Sequence, residues 1–266
     1  MATFDSPQPI TATVEISAGT VRVAAADRTD TVVEVRPRDE SRSHDVKAAE
    51  QVRIDFRDGR LVVASPRGFA LPRRGAVVID IALPSGSHFS AAVSSATVTA
   101  DGEYGDCTFA SASGNLTIGA VSGNLKADTA SGDVRATSAT SATVSTASGD
   151  VRLAELGGDI KFRAASGSLS VGRLQGNLNA QTASGDVAVT AAVRGSISAH
   201  TSSGEVTVGV AEGTAAQLDL RTNSGSVRST LKPSDGPAEG DETIVVQART
   251  ASGDVIVQRA AGPAAA

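Results

Sequence analysis

Three aspartates recur at matching points of a repeated motif, and their spacing could create a site for a hard cation. Asp133, Asp150 and Asp186 each follow a glycine in a copy of the hexapeptide TASGDV. If successive copies stack as neighbouring strands, Asp133 and Asp150 lie about 4.8 Å apart. Carboxylates at that distance repel one another, and Ca²⁺ would relieve the repulsion. The competing interpretation is that Asp beside Gly favours a turn, and Asn115 at an equivalent position supports it. We therefore expect no bound metal.

A second candidate surface is a ladder of hydroxyl side chains that precedes the same glycines. In six copies of the motif a Thr and a Ser are separated by one residue, so strand alternation of period two would turn both hydroxyls outward. The six pairs are Thr129/Ser131, Thr146/Ser148, Thr182/Ser184, Thr201/Ser203, Thr222/Ser224 and Thr250/Ser252. Such a ladder could bind a protein partner, or ice as regular hydroxyl arrays do. The pattern is also explained by the preference of threonine for strands and its stacking across them.

The residues between these hydroxyls are small, and the same alternation assigns them to the interior of the fold. They are Ala112, Ala130, Ala147, Ala165, Ala183 and Ala251. The glycines that follow form a second column, which indicates either a positive φ or a close approach of neighbouring backbones. A narrow interior agrees with an aromatic content of only 3%. We expect large residues in mid-column, as in Gly167→Val or Gly185→Leu, to be the most damaging substitutions.

The copies of the motif recur at a nearly constant interval, which identifies the architecture. Most of their glycines are 17 to 21 residues apart, and the last step is 28; they stand at 114, 132, 149, 167, 185, 204, 225 and 253. A second motif, as in LQGNL at 174–178, divides each unit into halves of about nine residues. Alternation within each half indicates a half-buried strand. The chain is therefore predicted to be an all-β solenoid (β-helix) with stacked coils of about 18 residues.

The first 90 residues lack this repeat, yet six of their segments alternate as strands do. Asp58–Gly59 between two of these segments predicts a hairpin, and residues 43–51 resemble one or two turns of helix. We interpret residues 1–90 as an N-terminal β cap with widened first coils, because a bare solenoid end is an open sheet edge. Residues 91–259 are predicted to form the solenoid repeats, and residues 260–266 a frayed tail.

Two segments without alternation are predicted to be exposed loops. The basic one, at 66–75, carries apolar side chains in a place that should be wet, and it could dock a partner. Its candidate contact residues are Phe69, Leu71, Arg73 and Arg74. Alternatively, its apolar pair folds back to cover the cap. The acidic one, at 232–242, is predicted to be an insertion in the last coil, so that loops of opposite charge could favour head-to-tail association.

No combination of side chains indicates catalysis. Glycan cleavage would need a carboxylate pair beside an aromatic sugar platform, and no aromatic residue accompanies Asp133 and Asp150. The three histidines stand in unrelated segments, and no phosphate-binding or dinucleotide-binding glycine motif occurs. Cys107 lies on an alternating run and is predicted to be a small core residue. We therefore expect a protein without catalytic residues or cofactors.

Composition and charge exclude several classes of partner. The chain has 266 residues with 24 basic and 29 acidic side chains, a net charge of −5, which argues against nucleic acid and anionic membranes. No run approaches the 18 apolar residues of a membrane span, and the opening MATFDSPQPI lacks the features of a signal peptide. Since no anchor motif occurs either, the sequence predicts a cytoplasmic protein.

Four further segments point to a family when they are taken together with the TASGDV repeats. They are TFDSPQPI at 3–10, RLVVASPRG at 60–68, VVIDIALPSGS at 77–87 and RTASGDVIVQR at 249–259. With these segments the chain resembles the bacterial putative-adhesin β-strand-repeat family, domain of unknown function 4097, of the actinobacterial type. The resemblance implies a right-handed β-solenoid and a nominal adhesin function, and it brings no catalytic residues.

These observations favour a non-enzymatic scaffold or interaction protein that presents stacked polar ladders and end loops to a protein partner. The alternative is a structural protein that assembles with copies of itself into filaments through its ends. These two hypotheses differ in whether the particle grows with concentration. A weaker third hypothesis is an adhesin or enzyme acting on glycan, which predicts a saccharide ligand.

Overall fold

A computed structural model describes residues 1–66, 75–232, 236–237 and 240–261, and its fold is a β-solenoid. The chain divides into two compact units, Met1–Ala136 and Thr137–Ala266. Unit 1 contains β1 (Ala2–Asp5), β2 (Thr11–Ile16), β3 (Gly19–Ala26), β4 (Asp30–Pro37), α1 (Ser43–Gln51), β5 (Arg53–Arg57), β6 (Arg60–Ala64), β7 (Val77–Pro84), β8 (Ser87–Val93), β9 (Thr97–Ser111) and β10 (Leu116–Thr129).

The remaining strands belong to unit 2, except that β11 (Val134–Thr146) begins before the boundary. They are β12 (Val151–Leu156), β13 (Ile160–Ala164), β14 (Leu169–Thr182), β15 (Val187–Thr201), β16 (Val206–Val210), β17 (Thr214–Ser224), β18 (Val227–Ser229), β19 (Glu242–Ser252) and β20 (Val255–Arg259). No helix in the described part of the chain is long and apolar enough to cross a bilayer.

Parallel pairing between successive coils of unit 2 confirms the predicted period. In the ladder of β14 with β15, Leu169 lies opposite Val187 and Leu178 lies opposite Ile197. The coil therefore advances by 18 residues on one side and 19 on the other, and a register shift after Leu174 takes up the difference. Each coil consists of two strand arms, and stacking of the arms buries the apolar side chains that alternate along them.

The last coil of unit 2 is inserted between two coils that precede it in sequence. β19 pairs with β15 on one side and with β17 on the other. β20 in the same way pairs with both β16 and β18. The stacking order is therefore β15–β16, then β19–β20, then β17–β18, although the repeats alone indicate stacking in chain order.

Unit 1 has the same arrangement at the N-terminal end of the chain. β2 lies between β6 and β8, and β3 lies between β7 and β9, all in parallel ladders. The first coil of the chain is thus enclosed by two coils that follow it in sequence. Like the coil β19–β20, it cannot detach without breaking hydrogen bonds on both of its edges.

Antiparallel strands and the helix α1 complete the described part of unit 1. β1 pairs with β4, and β4 with β7, while β5 and β6 form the predicted hairpin. Its turn residues, Asp58 and Gly59, have φ angles of 50° and 70°, which a two-residue hairpin turn requires. The helix predicted at 43–51 is present as α1. The division at residue 90 between a cap and the repeats stays a prediction.

Small aliphatic side chains build the core, as the low aromatic content indicates. Tyr104, Phe109 and Phe162 are the largest of the fully buried side chains, and the other core residues are mainly Val, Leu, Ile and Ala. Cys107 is also buried, which confirms it as a core residue. The narrow interior leaves little space at the corners, where the repeated motif lies.

Candidate interaction surfaces

The repeated Thr-x-Ser-Gly motif forms a corner in which threonine faces inward. The Gly185 N–H donates to Thr182 Oγ1 at 3.1 Å, and the same hydroxyl donates to the Gly167 carbonyl of the preceding coil at 3.2 Å. Thr201 repeats the second contact one coil later, with the Gly185 carbonyl at 3.1 Å. The threonine ladder therefore joins successive coils from within, and its hydroxyls do not present a surface.

The prediction that the Thr and Ser hydroxyls share an outer face is wrong. Thr182 is only 7% exposed, whereas Ser184 is exposed. The alanines assigned to the interior, such as Ala183, are also exposed. Two residues turn the corner between threonine and glycine, so the period-two alternation of a strand does not continue through it. The outer ladder consequently consists of serine alone.

Close approach of the backbones explains the glycine column. A Cβ atom on Gly185 would lie 1.9 Å from the Gly167 carbonyl oxygen, and one on Gly167 would lie 2.2 Å from the Gly149 oxygen. Neither Gly185 nor Gly167 has a positive φ. Of the two causes that the sequence leaves open, close approach therefore applies at these positions.

The buried hydroxyl of Thr182 gives the first testable prediction. We expect Thr182→Val to lower the free energy of unfolding by about 1–3 kcal/mol, because it keeps the shape but leaves the Gly185 N–H and the Gly167 carbonyl without that partner. Urea unfolding of the variant and the wild type measures the difference. Ser184→Ala, an exposed change in the same corner, is the control and should stay within about 0.5 kcal/mol. Equal losses in both variants would contradict the internal role of the threonine.

Two of the three aspartates considered for calcium accept hydrogen bonds from the main chain of the next coil. Asp150 Oδ1 accepts the Ser168 N–H at 3.2 Å, and Asp186 Oδ1 accepts the Glu205 N–H at 2.8 Å. Asp133 forms an ion pair with Arg135 at 3.0 Å. Equivalent contacts explain why Asp, Asn and Ser all occur at this position, since each of them offers an oxygen to the N–H above it.

The same capping contact holds the pKa of one carboxyl low. At Asp254 the main-chain N–H of Ser226 donates to Oδ1 at 2.8 Å. Hydrogen bonds from Ser226 lower the pKa of Asp254 below its usual value, since they stabilise the ionised form. The acidic side chains therefore stabilise the corners of the solenoid by accepting main-chain N–H groups. Among the described residues no group of three or more His, Cys, Asp or Glu is arranged to hold a metal ion.

A calcium titration tests the absence of a metal site directly. We expect millimolar Ca²⁺ to leave the melting temperature unchanged. One carboxylate oxygen of Asp150 and one of Asp186 already accept a hydrogen bond from a main-chain N–H. Differential scanning calorimetry with Ca²⁺, and with Mg²⁺ at the same ionic strength as the control, measures this. A rise specific to Ca²⁺ that disappears in Asp150→Asn would establish a site and contradict the expectation.

The basic loop proposed as a docking site falls largely outside the described residues. Phe69, Leu71, Arg73 and Arg74 all lie there, so their role stays a prediction. Gly75, the last residue of the loop, and Ala76, directly after it, are held on α1. A Cβ on Gly75 would lie 2.1 Å from the His44 carbonyl oxygen, and the Ala76 N–H donates to the buried Asp45 carboxylate at 2.8 Å. The residue that follows the loop is therefore fixed against the helix.

The outermost coil of unit 2, which we call the open coil, consists of β17 and β18. β17 forms its ladder with β19, and β18 with β20; neither has a ladder on its other edge in the described part of the chain. Val227 is 46% exposed, whereas Val255 and Val206 at the same register are fully buried. The apolar interior of the solenoid therefore reaches the surface at this coil. The repeats gave no signal of it, because they do not show which coil is outermost.

The outer face of β17 carries a short row of charges. Arg221 Nε donates to Asp219 Oδ1 at 3.0 Å, and Arg249 on β19 lies 3.5 Å from the other oxygen of Asp219. All three side chains are partly exposed, so their attraction contributes little to stability. They do, however, fix the order of negative and positive charges along the edge of the open coil.

Stacked coils, internal hydroxyl ladders and repeated corner glycines define a β-solenoid repeat protein. The chain belongs to the Toastrack DUF4097 family, whose model matches residues 12–262. This confirms the resemblance noted for the sequence, while the actinobacterial type stays a prediction. No curated protein matches the chain.

Three solved structures from Bacteroides fragilis and Parabacteroides distasonis are similar to this chain. A "putative adhesin" from Bacteroides fragilis NCTC 9343 is 14% identical, with 97% of this chain and 96% of that chain covered and a TM-score of 0.48. A "putative adhesin" from Parabacteroides distasonis ATCC 8503 is 13% identical, with 97% and 95% covered and a TM-score of 0.40. A "putative lipid binding protein" from the same strain is 13% identical, with 96% of each chain covered and a TM-score of 0.45.

Proposed function

We propose that this protein is a non-enzymatic β-solenoid interaction module that binds a protein partner. The observation that carries the proposal is the open coil, where one edge of the β17 and β18 ladders and the apolar interior are both exposed. An unpaired edge offers a row of N–H and C=O groups to an added strand. An apolar interior that ends at the surface adds the hydrophobic contribution that such pairing needs.

The polar ladders support this role in a different way from the one that the sequence suggests. Threonine hydroxyls and aspartate oxygens at the corners bond to neighbouring coils, so they stiffen the module. The exposed serines remain as an outer polar row. A rigid support lowers the entropy that is lost when a partner binds, because the binding edge is ordered beforehand.

Assembly with copies of the same chain into filaments stays the alternative, since an open coil could also accept another open end. The weaker hypothesis of a glycan-binding adhesin or a glycan-active enzyme predicts a saccharide ligand. The cytoplasmic location stays a prediction.

Photocrosslinking in the native cell tests the proposal. We expect a benzophenone amino acid at Val227 to give a protein adduct of discrete mass, because this side chain is exposed at the open coil. The matched control carries the same group at Lys161, which is exposed on β13. β13 is paired with a strand on each of its two edges. Adducts from neither position, or the same adducts from both, would refute binding at the open coil.

A further inference from the structure

We infer that the occupant of the open coil is a second copy of this chain, paired antiparallel through β17 about a two-fold axis at Leu220. This inference rests on the proposed function and names the partner. In an antiparallel pair centred on Leu220, every residue lies opposite the one equally distant from Leu220 in the second copy. Residues directly opposite each other share one face of the sheet.

The charges of β17 complement themselves in this register. Asp219 of each copy lies opposite Arg221 of the other, so that the pairing forms two ion pairs on the outer face. Moving the centre to Asp219 would place two aspartates opposite each other, and moving it to Arg221 would place two arginines opposite each other. Like charges directly opposite are destabilising. A centre between two residues would put inward side chains opposite outward ones, which the pleat does not allow.

The apolar interior continues across the same axis. A two-fold axis normal to the sheet keeps inner faces on one side, so Leu220 lies opposite its own copy and Leu218 opposite Thr222. Leu218 and Leu220 are only half-buried in the single chain, although their register partners Val246 and Ala248 are fully buried. Pairing would therefore bury at the open coil the kind of side chain that the solenoid buries everywhere else.

The two segments that adjoin the strands of this part of unit 2 in sequence, residues 230–241 and 260–266, offer few large apolar side chains. The segment between β18 and β19, residues 230–241, reads TLKPSDGPAEGD, and Leu231 is its one large apolar residue. The last residues, AAGPAAA at 260–266, carry no side chain larger than proline. A second copy, in contrast, supplies Leu218, Leu220 and Val227. Because a two-fold contact uses the same surface on both chains, assembly stops at two.

Cysteine crosslinking of the full chain tests the register. Leu220→Cys should form a disulfide-linked dimer under mild oxidation, because opposite Cα atoms lie about 4.5–5.5 Å apart in an antiparallel pair, within disulfide range. Ala216→Cys is the control on the same face of the same strand. Its two copies would lie eight residues apart, about 26 Å, and should not crosslink. The native Cys107 is buried and should not contribute. Equal crosslinking at both positions would overturn the register.

Charge exchange tests the pairing without introducing cysteine. Asp219→Arg should weaken dimerisation about tenfold or more, as should Arg221→Asp. The double variant D219R/R221D should regain wild-type dimerisation, since opposite charges then face each other again. Light scattering after size-exclusion chromatography, over a hundredfold concentration range, measures the dimer fraction. Equal dimerisation in all four proteins would overturn the role assigned to these charges.

The outcomes separate this inference from the proposed function. A particle that stays monomeric at every concentration overturns the second copy as occupant. If Val227 nevertheless crosslinks to a different protein in the cell, the proposed function stands without the inference. Growth beyond two copies overturns the closed two-fold contact and supports the filament alternative. A dimer that crosslinks at Leu220 and responds to charge exchange supports both.

Discussion

Replacing Gly185 by alanine is expected to destabilise unit 2 by more than about 3 kcal/mol, an unusually large effect for one methyl group. The added Cβ would lie 1.9 Å from the Gly167 carbonyl oxygen and 2.8 Å from Thr182 Oγ1. The neighbouring atom is main chain, so it cannot turn aside as a flexible side chain would. Relief requires the two coils to separate, and the hydrogen bonds of the corner and of the adjoining ladder then weaken together.

Gly157→Ala provides the matched control in the same unit. Apart from Gly157 itself and its two chain neighbours, no described atom lies within 4 Å of a Cβ placed on Gly157, and its φ is not positive. We therefore expect this variant to stay within about 0.5 kcal/mol of the wild type. Thermal and urea unfolding of both variants measure the contrast, which should amount to about 10 °C in melting temperature. If Gly185→Ala melts with Gly157→Ala, close approach of the coils is not what requires glycine.

Alkaline pH is expected to destabilise unit 1 strongly. Burial raises the pKa of the Cys107 thiol from 9.0 to about 12, and it raises the pKa of Tyr104 above its usual value as well. Since the folded state holds the thiol neutral, its contribution is complete below pH 9 and is lost as the pH rises from 9 towards 12. A shift of three pKa units corresponds to about 4 kcal/mol.

The effect of Cys107 can be separated from that of Tyr104 by the pH window. Unfolding free energies measured between pH 8 and 10 should fall in the wild type by about 1.4 kcal/mol. In Cys107→Ala they should stay nearly constant over this window, although the variant starts lower because it leaves a small cavity. Reaction of the Cys107 thiol with an aromatic disulfide reagent reports the same unfolding, because the thiol is buried in the folded state. An equal slope in both proteins would show that the thiol is not held neutral.

The period of the fold could be predicted from the sequence, because each coil repeats the same steric demand. A backbone carbonyl lies against Gly167 and Gly185 in turn, so glycine returns every 18 residues. The hairpin at Asp58–Gly59 could be predicted for a similar reason, since its turn needs positive φ angles. In both places a local constraint admits few residue types, and the residue type therefore reveals the constraint.

Side-chain direction at the corners and the order of the coils could not be predicted in this way. The alternation of inward and outward residues does not hold between Thr182 and Gly185, because the turn buries both residues. The order of the coils could not be predicted because two corners carry nearly the same motif, TNSGSV at 222–227 and TASGDV at 250–255. Either could stack on the coil at 201–206. Only the three-dimensional contacts show that Gly253 lies against Gly204 and that Gly225 lies against Gly253.

The inserted last coil has a consequence for how the chain reaches its native state during synthesis. β17 and β18 leave the ribosome before β19 and β20, at a time when the edge of β15–β16 is already available. Because the corner at Thr222–Gly225 fits that edge by the same motif, the earlier coil can occupy the place of the later one. Completion of unit 2 then requires strand exchange once residues 242–259 emerge, so the final arrangement is reached only after those residues have been synthesised.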